Sequence, residues 1–176
     1  MPRLFTGLEI PAPLAAELAS LRGGLSGARW LEPDLYHLTL RFIGDVDGAT
    51  ARDVADALDA IARPGFGVTL DGVGAFGGGR PRAIVVHAQA SAPLIELQAE
   101  HERALRRVGL APESRKFTPH VTLARLRRAS ALAVADFLES RGGFHRSFEA
   151  ARFVLFSARE QTGGGPYLIE AAWPLG

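Results

Sequence analysis

His37-Leu38-Thr39-Leu40 and His120-Val121-Thr122-Leu123 share one form, His-x-Thr-x with aliphatic residues at both x positions. On a β-strand, a His and a Thr two positions apart point the same way, while the aliphatic neighbours face the opposite side. Each copy then aims one imidazole and one hydroxyl into the same space. Imidazole titrates near pH 6.5, so one ring of a pair can be neutral while the other is protonated. The neutral ring removes a proton from water and the protonated one gives a proton to a departing oxygen. Threonine hydroxyls can hydrogen-bond phosphoryl oxygens, and an arginine can stabilise charge that develops in the transition state. Together these groups suit hydrolysis of a phosphodiester. A single four-residue pattern recurs easily by chance, so the weight lies in its repetition.

A metal centre is the competing chemistry. Zinc usually takes three or four His, Cys or carboxylate ligands. Neither motif has a second His, Asp or Glu two to four residues away on the same face, Asp34 falls outside the expected strand, and the chain has no cysteine. Threonine is a poor ligand. Acid–base chemistry without metal or cofactor is the better fit.

The elements that must position these groups read as a duplicated unit. Residues 3–10 are an apolar run rich in β-formers, and Leu14, Leu18, Leu21 and Leu25 after Pro13 mark a helix stripe. Residues 35–43 alternate, with Leu38, Leu40 and Phe42 on one face and His37, Thr39 and Arg41 on the other. Thr50 is the expected cap of a helix carrying Val54, Leu58 and Ile61. Residues 67–73 form a short strand, and the glycine-rich stretch from Gly74 to Arg82 reads as a loop or linker. The order then repeats: a strand over 82–90, a helix striped by Leu94, Leu97, His101, Leu105 and Val108, the second histidine strand over 119–125, a helix near 130–140, and a strand over 148–157. Ala12-Pro13-Leu14 recurs as Ala92-Pro93-Leu94 one strand into each half. The expectation is one bilobal domain over 1–176, with repeat halves 1–75 and 82–160 and a strand over 166–173 completing a sheet. Two such units pack about a pseudo-twofold axis, so equivalent strands present their histidines to one groove.

Composition excludes several classes. At 176 residues, 47% hydrophobic and 22% charged, the chain is of ordinary globular type. No apolar run approaches the roughly 18 residues that cross a membrane, and the N-terminal stretch is a poor secretion signal, so a cytoplasmic location is expected. Without cysteine there is neither disulfide nor thiol chemistry. Net charge is +1, and Lys116 is the only lysine among 20 Lys and Arg residues. Coding bias in a GC-rich genome accounts for that skew, and the arginine count decides nothing by itself.

At the His-x-Thr-x motifs the sequence resembles the 2H phosphoesterase superfamily, and within it the bacterial and archaeal RNA 2′,3′-cyclic phosphodiesterases, or 2′-5′ RNA ligase-like proteins. RLFTGLEIP, RWLEPDLYHLTLRFIGDV, GVGAFGGGRPRAIVV, RKFTPHVTLAR and the closing LFSARE…GGGPYLIEAAWPL follow the family order along nearly the whole chain. The resemblance implies an α+β bilobal fold, with two antiparallel sheets lining a central cleft and helices outside. It implies hydrolysis of a terminal 2′,3′-cyclic phosphate on RNA to a 2′-phosphate, with His37 as the proton donor to the leaving 3′ oxygen and His120 as the acceptor from water. A weak reversal that joins RNA ends through 2′-5′ linkages is also associated with the family. The spacing alone leaves the two roles interchangeable.

Beyond the four motif residues, Arg41 shares the His37 face by alternation and could reach a phosphate. Arg125 falls off the strict alternation, but the family's second motif carries an arginine there. Phe117 and Tyr167 could stack on an unpaired base or serve as core. His87, His101 and His145 read as structural or solvated. Arg103, Arg106, Arg107, Arg115, Lys116, Arg125, Arg127 and Arg128 form a basic stretch that could steer RNA. A 2H phosphoesterase acting on small cyclic nucleotides or ADP-ribose cyclic phosphate, and a non-catalytic RNA-binding module, are the alternatives; the intact His and Thr pairs argue against the second. A chain with an internal twofold has no need to dimerise.

Overall fold

The structure is a computed structural model that describes residues 3–158 and 167–176. The strands are β1 (Arg3–Glu9), β2 (Ala28–Trp30), β3 (His37–Asp45), β4 (Phe66–Phe76), β5 (Ala83–Ala88), β6 (His120–Leu126), β7 (His145–Ala150), β8 (Arg152–Ala158) and β9 (Tyr167–Pro174). The helices are α1 (Ala12–Ala19), α2 (Gly48–Asp59), α3 (Ala92–Arg107) and α4 (Ala131–Ser140), with a 3-10 turn over Pro33–Leu35. Pro166, the first residue of the strand expected over 166–173, and residues 159–165 of the closing family segment lie outside the described residues.

The strands run β7-β4-β5-β6-β3-β1-β8-β9, all antiparallel, with β2 added beside β6. Two four-stranded arcs meet at one place, where Leu38 of β3 pairs with Val121 of β6. The α+β fold is thus as the resemblance implies, but the two sheets are arcs of one continuous sheet.

All four helices cover the same face. Leu14 and Leu18 of α1, Val54 and Leu58 of α2, Leu94, Leu97 and Leu105 of α3, and Val134 and Phe137 of α4 form one core with Leu8, Leu38, Leu40, Ile84, Val86, Val121 and Leu123 of the strands. Burying each such side chain contributes about 1.5–3 kcal/mol, so the period-two aliphatic positions fix which face turns inward. The other face is left to the polar residues of the same strands, with a small second cluster of Phe5, Val154, Phe156 and Ala158.

Several local expectations change. The cap of α2 is Asp47, whose carboxylate accepts the Thr50 N–H at 2.7 Å, so Thr50 lies inside the helix. An Asp accepts that bond well because its side chain is short and charged. Helix α1 ends at Ala19, leaving Leu21 and Leu25 in the chain that follows it. Gly74, Ala75 and Phe76 belong to β4, and only 77–82 form the turn to β5. The strand expected over 148–157 is two strands, β7 and β8, broken at Ala151. β7 pairs with β4 and β8 with β1, so one apolar run supplies both arcs. Length and apolarity could not reveal that change of partner.

His101 shows how tightly the two halves are joined. It is fully buried on α3, hydrogen-bonded through Nδ1 to Thr6 Oγ1 of β1 at 3.0 Å, and set edge-on against Phe153 at 4.6 Å. Its Nε2 is buried without a partner among the described residues. Burial holds its pKa down at about 3. Between that value and the ordinary 6.5 the unfolded chain binds the extra proton, so stability rises with pH there and is lost on acidification. Urea unfolding should therefore lose stability from pH 6.5 down toward pH 3, with His101 contributing up to about 1.4 kcal/mol per unit. His101→Gln should flatten that slope; an unchanged slope would contradict it.

Candidate active site

The antiparallel sense of β3 and β6 about the Leu38–Val121 pair sets His37 toward Thr122 and Thr39 toward His120. The four side chains are half-buried and alternate with buried Leu38, Leu40, Val121 and Leu123. They therefore stand on the face that no helix covers.

Both rings are held alike. His37 Nδ1 meets the carbonyl of Leu35 at 2.9 Å, and His120 Nδ1 meets that of Thr118 at 2.7 Å. A carbonyl only accepts, so each Nδ1 carries the proton and each neutral ring presents a bare Nε2. Thr39 Oγ1 donates to His37 Nε2 at 2.8 Å. Among the described residues His120 Nε2 has no corresponding partner. Held in this way, Nε2 of either ring accepts a proton, or donates one once protonated.

Their surroundings differ. His37 lies among Phe5 (4.9 Å between centroids), Tyr167 (5.3 Å) and Phe156 (5.7 Å). Burial there pushes its pKa down to about 4, opposed by the Leu35 carbonyl and assisted by the positive charge of His120 and Arg125. His120 has Phe76 edge-on at 4.7 Å, and burial lowers its pKa too, with His87 adding to the shift. Both rings are consequently neutral near pH 7. A bound anion would act in the opposite direction, because a nearby negative charge favours the protonated form.

A β-bulge in each histidine strand decides which further residues join. β1 and β3 shift register between Thr6 and Gly7, which face Arg41 and Thr39. β5 and β6 shift between Ile84 and Val85, which face Ala124 and Thr122. A bulge turns two successive residues to one side, so Leu40 with Arg41, and Leu123 with Ala124, are all buried on the helix side. The residue five after each histidine then returns to the open face: Phe42 in β3 and Arg125 in β6, both exposed. A Cβ on Gly7 would lie 2.7 Å from the Leu38 carbonyl oxygen, so the first bulge requires a glycine there.

This overturns the placing of Arg41. It is buried, its Nε donates to Glu102 of α3 at 2.5 Å, and its other nitrogens donate to the carbonyls of Phe42 and Ala111. Strict alternation fails because the bulge reverses the strand's sides after Leu40. Arg125, by contrast, comes to the cleft face. Tyr167 joins it as well, its edge on His37 and Phe5. Phe117 is half-buried and packs against the main core, away from those rings. The basic stretch breaks up: Arg103 and Arg115 pair with Glu100 and Glu113, while Arg125, Arg127 and Arg128 are exposed near the end of β6.

Phe5, Phe42, Phe156, Phe76 and His87 join the site unforeseen. His87 lies directly opposite His120, with its ring over Gly74, where a Cβ would collide with it. Their signal was present only as position: Phe42 holds in the first repeat the place that Arg125 holds in the second. His145, paired with Asp71 at 3.3 Å, stays at the surface. No three His, Asp or Glu side chains converge on a common point among the described residues, and no described helix is long and apolar enough to cross a membrane.

Comparison with known proteins gives the family and the fold. The family model described as LigT like Phosphoesterase matches residues 8–87 and again 84–167. The chain belongs to the LigT-like phosphoesterase family. It is 35% identical over 136 residues to an RNA 2′,3′-cyclic phosphodiesterase of Aeropyrum pernix, covering 73% of this chain and 77% of that one. It is 29% identical over 180 residues to the enzyme of that name from Escherichia coli, covering 98% and 96%. Its fold matches E. coli LigT complexed with 3′-AMP with a TM-score of 0.80 at 28% identity, covering 99% of each chain. For a Thermus thermophilus protein, TT0787, the TM-score is 0.83 at 22% identity, a likeness of fold, over 98% of this chain and 97% of that one.

The buried Arg41–Glu102 pair gives a check on these assignments. Arg41→Ala leaves a mostly buried carboxylate without its cation and frees two carbonyls, which should cost about 3–5 kcal/mol in urea unfolding. Unaltered stability with lost activity would restore Arg41 to the site.

Proposed function

We propose that this LigT-like phosphoesterase is an RNA 2′,3′-cyclic phosphodiesterase that opens a terminal cyclic phosphate to a 2′-phosphate. The carrying observation is the opposed pair of His-x-Thr units about Leu38 and Val121, with each Nδ1 tied to a main-chain carbonyl, so that each Nε2 is the proton-carrying atom, that of His37 held by the Thr39 hydroxyl. The relatives named RNA 2′,3′-cyclic phosphodiesterase support the substrate.

In this reading water attacks phosphorus and passes its proton to His120 Nε2. The bond from phosphorus to the ribose 3′ oxygen breaks, and that oxygen takes the proton from His37 Nε2. Thr39 and Thr122 hydrogen-bond the non-bridging oxygens, and Arg125 balances charge that builds on them. The assignment of donor and acceptor follows the family resemblance. The bound phosphate monoanion offsets the burial of His37 and lets it hold the proton it must give. Exposed Phe42 and half-buried Tyr167, backed by buried Phe5 and Phe156, form an apolar wall beside His37 on which the terminal base can stack. Both histidines come from one chain, so a monomer contains the whole site.

Single substitutions His37→Ala and His120→Ala should each lower hydrolysis of an oligoribonucleotide 2′,3′-cyclic phosphate by roughly 10²–10⁴-fold. Circular dichroism should show the fold intact. Substantial turnover by either variant would sink the mechanism. Thr39→Val and Thr122→Val should lose less, since each removes one hydrogen bond to the phosphate and no proton carrier.

A further inference from the structure

Arg29 stands directly opposite Arg125 in the pairing of β2 with β6. Residues directly opposed on antiparallel strands point to the same side with Cβ atoms about 5 Å apart. Which side is settled by β5, where Ala83 faces Arg125, Val85 faces Thr122 and His87 faces His120. Ala83, Val85 and His87 alternate onto one face, so Arg125, Thr122 and His120 share it, and Arg29 is brought there with them.

Two guanidiniums so placed repel one another, and like charges directly opposite destabilise a sheet. Neither has a carboxylate within 4.0 Å among the described residues, and both are exposed. Arg41, Arg63, Arg146 and Arg152, in contrast, each hold a glutamate at 2.5–2.8 Å. Exposed Arg82 and Arg127 lie beside the pair: the Leu126 N–H bonds to the Arg82 carbonyl, and the Arg127 N–H to that of Gly27. Among the described residues Arg29, Arg125 and Arg127 have no carboxylate within 4.0 Å, so positive charge is concentrated where β2 meets β6. A phosphodiester is the complement of two adjacent guanidinium forks.

We propose that Arg29 binds the phosphodiester next to the terminal cyclic phosphate, so that the Arg29–Arg125 pair spans the last two phosphates of an RNA strand. This rests on the cyclic phosphodiesterase reading above. Arg125 shares the face of Thr122 and His120, and Arg29 lies one strand over, about 4.8 Å away, on the edge of β6 that β3 also pairs with. β2 makes this possible, because it takes the edge of β6 that β3 leaves as the arcs diverge. The site then distinguishes an RNA end from a cyclic mononucleotide by charge alone, without reading a base.

The test uses the whole chain with Arg29→Ala and Arg29→Lys. Anisotropy of a fluorescent oligoribonucleotide ending in a 2′-phosphate is followed from 50 to 300 mM salt, on the order of the range over which phosphate contacts are read. Arg29→Ala should weaken binding about tenfold at the low-salt end, and the slope of log K against log salt should become shallower by about 0.7. Arg29→Lys should recover part of the affinity while keeping the salt slope, as a point charge does where a fork is lost. The ratio of kcat/KM for the oligonucleotide cyclic phosphate to that for a cyclic mononucleotide should fall with affinity. Melting temperature should not drop in Arg29→Ala, because a repulsion has been removed. Unchanged binding and ratio, or a loss of affinity that tracks a lowered melting temperature, would overturn the proposal. Wild-type protein that binds the oligonucleotide in an Arg29-dependent way yet opens no cyclic phosphate would overturn the hydrolase reading and leave the subsite standing.

Discussion

Everything about the cleft depends on the backbone pairing of β3 with β6 at Leu38 and Val121. Both side chains are fully buried among the helices, and their cores hold the two arcs together. Because the pairing is antiparallel, a rotation about this point exchanges the two motifs. The imidazole of one strand lies toward the hydroxyl of the other, so the cleft has an imidazole on either side, as the proposed hydrolysis requires. A parallel arrangement of the same strands would set like beside like. The chemistry is therefore a consequence of strand direction as much as of residue type.

The bulges add what alternation could not. A strand with perfect period two would bring Arg41 to the cleft and bury Phe42 and Arg125. One extra residue in β3 and one in β6 reverse this, so an ion pair with Glu102 consumes Arg41 while Arg125 becomes available. The same device in both repeats yields different outcomes: an aromatic ring beside His37 in one arc, and a guanidinium beside the hydroxyl in the other. The duplicated scaffold carries an asymmetric cleft, with aromatic rings on one side and positive charge on the other.

Burial and charge set the resting state of the histidines. Phe5, Phe156 and Tyr167 exclude water from His37, and the cations of the opposite wall disfavour a further positive charge. Both rings are therefore neutral near pH 7. His101 shows the same desolvation used structurally, since it is neutral on α3 with Thr6 of β1 as its partner. His37 faces an open cleft, and His101 a sealed core.

Much of this was legible in the residues alone. The His-x-Thr pairs, the aliphatic positions between them and the recurring order of elements led to the α+β class and a shared groove, because side-chain alternation and apolar periodicity are local properties. The family resemblance implied RNA and the separate roles proposed for His37 and His120. What the residues could not disclose was non-local. Residues 148–157 are one apolar run, yet they divide at Ala151 between the two arcs, since a strand's partner depends on what else is nearby. Gly74 to Phe76 read as linker from glycine content but form sheet, because β5 completes their hydrogen bonds. The His-x-Thr-x repeat by itself determined that two imidazoles and two hydroxyls would face a common space. Only the tertiary structure decided which arginine stands beside them, because a bulge is a property of two strands in register and neither strand encodes it alone.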